Sequence, residues 1–86
     1  MTSVEEIKAN VAASVDGTQR AVTGIRQASD QLDDALALLR ITAIGSMHPS
    51  AAAAIAQLEQ ALTRLDEAAT LARSAMDSAD AYRMIV

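Results

Sequence analysis

Eighty-six residues that include 20 Ala and one Tyr but no Phe, Trp or Cys make one small domain with little bulk to bury. Without cysteine there are no disulfides and no thiolate metal sites. A net charge of -4, with neither a basic stripe nor an aromatic platform, argues against nucleic acid as a partner.

The first residues, Met1-Thr2-Ser3-Val4-Glu5-Glu6, lack the basic start and apolar run of a signal peptide. The expected location is cytoplasmic, with export by a route that uses no cleaved signal as the alternative. Ser3-Val4-Glu5-Glu6 reads as a capping box, and Thr2 with Glu5 as a competing cap one residue earlier. From there Val4, Val11, Thr18, Ile25, Leu32 and Leu39 recur every seven residues. Such a repeat draws a narrow apolar seam along a helix that another helix must cover. The spacing predicts a helix over 3–44.

Within it, Gly17 and Gly24 share one heptad position, one step before the seam. Each costs a helix about 1 kcal/mol relative to Ala; steric relief for a crossing helix is the reading adopted. Asp30, Asp33 and Asp34 lie opposite most of the apolar face. Arg26 with Asp30, Asp16 with Arg20 and Arg73 with Asp77 are spaced for pairing across one helical turn. A di-metal carboxylate bundle needs buried Glu and Glu-x-x-His motifs, which the chain lacks. Ser14, Thr18 and Ser29 have no neighbouring base to activate them, so their hydroxyls are expected to bond back to the preceding turn.

Gly45-Ser46-Met47-His48-Pro49-Ser50 breaks the pattern. Gly45 reaches positive φ at little steric cost, and Pro49 prevents smooth continuation. The predicted turn is 45–50. His48, the only histidine, has no converging ligands and is taken as a turn residue.

A second helix is predicted over 51–83, capped by Ser50, with a start that takes Pro49 into the first turn as the alternative. Its seam is Ile55, Leu62, Ala69 and Met76, joined by Leu58, Leu65, Ala72 and Ala79. In a tight hairpin Leu39 lies beside Ile55, Leu36 beside Leu58, Leu32 beside Leu62, Ile25 beside Ala69 and Thr18 beside Met76. The large residues gather near the turn, so the open end should fray first. No stretch approaches the roughly 18 apolar residues of a membrane span. The flanks lack the Lys, Arg and aromatic anchors of a membrane-surface helix.

Apolar positions remain after the seam is filled. Val15, Val22 and Leu36 widen the stripe of the first helix, and Ala54, Ala61, Ala68, Ala75 and Tyr82 form a ladder on the second. Leu38 and Ile41 fall where one partner helix cannot cover them. The tail Tyr82, Met84, Ile85 and Val86 is expected to close the seam around Ile7 and Val11 or to cross to a second hairpin. The expected fold is all-α: one domain, 1–86, an antiparallel two-helix hairpin that dimerises into a four-helix bundle. Leu36, Leu38, Ile41, Ala54, Ala61, Ala68, Ala75 and Tyr82 are the candidate interaction residues. No catalytic, metal-binding or cofactor-binding residue is assigned.

Two long helices around a bend containing Ile44-Gly45-Ser46 resemble the helical-hairpin Trp-x-Gly family exported by actinobacterial type VII secretion systems. Gly45 stands where that family has its bend glycine, here without the Trp. The end Tyr82-Arg83-Met84-Ile85-Val86 keeps a Tyr without the acidic residue of the family's C-terminal signal. The resemblance implies dimeric four-helix assemblies, secretion with a paired partner and no general catalytic residues. The residues themselves point to a non-enzymatic, self-associating helical protein or adaptor, with the secreted hairpin as alternative. Its partner is a second copy or another helical protein.

Overall fold

A computed structural model describes residues 3–86. Two helices, α1 (Val4–Thr42) and α2 (Pro49–Ile85), fold back on one another. At about 1.5 Å per residue, 39 residues in α1 reach about 59 Å, and the molecule is a rod of 63 × 18 × 15 Å. The antiparallel two-helix hairpin expected from the heptads is the observed fold.

Ser3 caps α1: its Oγ accepts from the Glu6 backbone N–H at 3.1 Å. The Thr2 alternative lies outside the described residues. α1 ends at Thr42, two residues before the predicted limit, because its last carbonyls are taken by tighter bonds. Ala43 N–H still makes the ordinary bond to Leu39 O at 2.8 Å, but Ile44 N–H turns to Ile41 O at 3.4 Å and Ser46 N–H to Ala43 O at 2.9 Å. Gly45 follows at φ 77°, the left-handed conformation that a side chain disfavours.

At the start of α2 the structure takes the alternative with Pro49 in the first turn. The helix begins at Pro49 rather than Ala51, and its cap is His48 rather than Ser50. Pro tolerates the first helical position because its missing N–H would have no intrahelical partner there. It also drives the preceding residue to extended backbone, and His48 sits at φ -73°, ψ 128°. Its Nδ1 then accepts from the Ser50 N–H at 3.1 Å. At the far end α2 runs to Ile85, past the predicted 83, and Val86 N–H bonds to Tyr82 O at 3.2 Å.

Between the helices lies a seam one side chain thick. Val22, Leu36 and Ala69 are buried, while Ile25, Leu32, Leu39, Ile55, Leu58, Leu62 and Leu65 are half-buried. On α1 a series spaced alternately three and four apart turns inward, 11, 15, 18, 22, 25, 29, 32, 36 and 39, with Ile7, Ala12, Gly17 and Ala28 half-buried at its edges. The series through Val15, Val22 and Leu36 is therefore the second half of the hairpin's own seam, and does not widen the stripe toward another chain. Two helices touch along one line, which leaves most seam side chains open above and below. Thr18 lies in this seam, and its hydroxyl donates to Ser14 O at 2.8 Å, as expected of a hydroxyl inside a helix.

Candidate functional site

One interhelical ion pair fixes which flanks share a side. Arg40 Nη2 lies 2.7 Å from Glu59 Oε1. In a heptad frame, residues seven apart occupy the same flank, so Asp33 and Arg26 follow Arg40, while Asp66, Arg73 and Asp80 follow Glu59. An open groove confirms the arrangement, lined by Ile25, Arg26, Ser29 and Asp30 from α1 and by Leu65, Asp66, Ala69 and Arg73 from α2. It also places Ile25 beside Ala69, the pairing expected from the tight turn. This side of the rod is densely charged.

The opposite side is not. The flank of α1 across the seam from Arg40 carries Ser14, Ala21, Ala28, Ala35 and Thr42. Next to it run Asn10, Gly17, Gly24, Gln31 and Leu38, all exposed but the half-buried Gly17. On α2 the corresponding flank is the ladder Ala54, Ala61, Ala68, Ala75 and Tyr82. Beside it lie Gln57, Arg64, Leu71, Ser78 and Ile85. Arg64 is the one charge in these four series, and it is paired at 3.4 Å with Glu67 on the outer edge.

The candidate interaction residues divide accordingly. Leu36 is 3% exposed and packs in the hairpin's own core. Leu38 and Ile41 stand out into solvent at 66% and 67%. Ala54 and Ala61 are half-buried at the edge of the seam, whereas Ala68, Ala75 and Tyr82 are exposed. Leu71, not singled out from the sequence, is 72% exposed. Its signal was its place three residues after Ala68, on the same stripe. In the tail, Val86 is half-buried but Met84 and Ile85 are exposed, so these two do not close the seam of their own hairpin.

The glycines also find their setting. A Cβ on Gly24 would meet nothing within 4 Å, and one on Gly17 would approach only the Arg20 guanidinium, at 3.9 Å. Neither relieves crowding against α2.

Asp16 and Arg20 pair at 3.0 Å as the spacing predicts. Arg26 and Arg73 instead line the groove, and Arg83 pairs with Asp80 at 2.9 Å. Among the described residues no group of three or more His, Cys, Asp or Glu side chains is arranged to hold a metal ion. Within the same residues no helix is long and apolar enough to cross a membrane.

Comparison with protein-family models, with curated proteins and with solved structures gives no match.

Proposed function

We propose that this protein is a non-enzymatic, self-associating helical hairpin, an interaction module whose working form is a homodimeric four-helix bundle. The observation that carries the reading is the mismatch between shape and burial. A compact protein of 9.0 kDa exposes about 4,900 Å², whereas this rod exposes 6188 Å². Among the described residues the buried apolar ones are Val22, Leu36 and Ala69. Ordering long helices costs conformational entropy at every residue, and a one-layer seam offsets little of it. A second hairpin supplies the missing layer.

Light scattering coupled to gel filtration tests the reading: the expected mass is about 18 kDa, twice the 9.0 kDa of the chain. Replacing Leu38 and Ile41 together by Asp lowers the dimer fraction, because charges would have to be desolvated at the contact. A fully helical monomer at high micromolar concentration overturns the homodimer.

A second reading, a hairpin secreted by a type VII system, rests on the sequence resemblance around Ile44-Gly45-Ser46; the structure adds only a generic two-helix hairpin. It predicts the protein in the medium of intact cells that carry such a system, and retention inside the cells counts against it.

A further inference from the structure

We infer that a second copy of this chain docks on the neutral face, the side that carries Ala28, Ala35 and Leu38 of α1 and Ala68, Leu71 and Ala75 of α2, while the face bearing Arg40–Glu59 stays in solvent. The inference rests on the self-association proposed above and specifies its surface.

Three observations select this face and this occupant. The first is area. In projection a face of 63 × 18 Å is about 1,100 Å², more than the roughly 800 Å² per partner of a standard stable interface. The rod's excess of exposed surface over a compact protein of its mass is of the same size, about 1,300 Å². The second is charge. The charged side of each copy carries Arg26, Asp33, Arg40, Glu59, Asp66, Arg73 and Asp80, so contact through it would desolvate charges of both signs on both copies. The neutral face has one charge at its margin, already paired with Glu67, and two such faces meet without opposing charges. A strongly charged partner would find nothing there to pair with.

The third is relief. Ala ladders on both helices let the layers approach closely, and the exposed Leu38 and Leu71 supply apolar bulk between them. Gly24 fits the same picture: it lies on this face, and its side-chain direction opens onto empty space within the hairpin. A two-fold interface uses each contact twice, so a modest patch of this kind counts double.

Two matched double variants on α2 separate this inference from self-association itself. Ala68→Lys with Ala75→Lys places two charges on the neutral face; Thr63→Lys with Thr70→Lys places two on the charged face. All four positions are exposed in the hairpin, and the net charge changes equally. Circular dichroism at high concentration verifies that both variants remain helical, and sedimentation equilibrium reads the dimer constant. The expected result is a Kd raised about 100-fold or more by the first pair and by less than about 3-fold by the second. A dimeric wild type that loses association through Thr63→Lys with Thr70→Lys, but not through the alanine pair, overturns the assigned face and leaves self-association standing. A wild type that stays monomeric overturns both.

Discussion

Single side chains at the bend do more than their sequence neighbourhood announced. His48 was legible as a turn residue, but its capping role depends on Pro49 holding it extended with Nδ1 on the Ser50 amide. His48→Ala should destabilise the hairpin by about 1 kcal/mol, as loss of a helix cap does, and His48→Asn should keep most of the stability. Urea titration followed by circular dichroism reads the difference, and equal midpoints for both variants and the wild type would refute the cap. Gly45 at φ 77° was foreseen. There Gly45→Ala should cost about 1–2 kcal/mol, the usual penalty for a side chain in left-handed backbone. Gly24→Ala should go the other way and stabilise an isolated hairpin by up to about 1 kcal/mol, because the new methyl meets no atom of the chain and a helix-interior glycine is removed.

Along the helices, the seam separates residues that the sequence made look alike. Leu36 and Leu71 are both leucines on alanine-rich helices. Leu36→Ala should destabilise the hairpin by about 2 kcal/mol, the lower end for a buried leucine, since a two-helix seam can relax into the space. Leu71→Ala should leave the stability of a single hairpin within about 0.5 kcal/mol. It should nevertheless weaken the dimer, because the side chain is exposed only until the second layer covers it. Thermal melts at low and high concentration distinguish the two cases. The thin end of the seam gives another expectation. Hydrogen exchange should protect the amides of 25–39 and 55–69 best, and those of 4–14 and 76–85 least, following the apolar bulk per turn. Uniform protection from end to end would contradict it.

At the scale of the whole molecule, one rod face is charged and the other is neutral. An interface held by ion pairs weakens as salt screens them; one between neutral faces of chains at -4 does the opposite. Raising the salt from about 0.05 M to about 0.5 M shortens the Debye length from roughly 14 to roughly 4 Å. The proposed dimer should hold or tighten slightly, read by sedimentation across that range. A Kd that rises tenfold would place charge pairs at the contact. The Arg40–Glu59 bridge has little influence on this balance, because an exposed pair contributes at most about 1 kcal/mol.

By itself the sequence determined the two helices, the bend glycine and the seam positions from Val11 to Leu39 and from Ile55 to Ala79. These follow from local propensity and a 3.5-residue period, which are properties of one helix at a time. The tertiary structure decided the rest. A period of seven places residues on a flank of one helix but does not say which flanks of two helices lie side by side. That took the Arg40–Glu59 contact across the seam. From it follow the place of Leu71 beside the alanine ladder and the separation of charge onto one face, while burial moves Val22 from the widened stripe to the hairpin's own core. Each is a relation between two helices, set by the packing of one against the other.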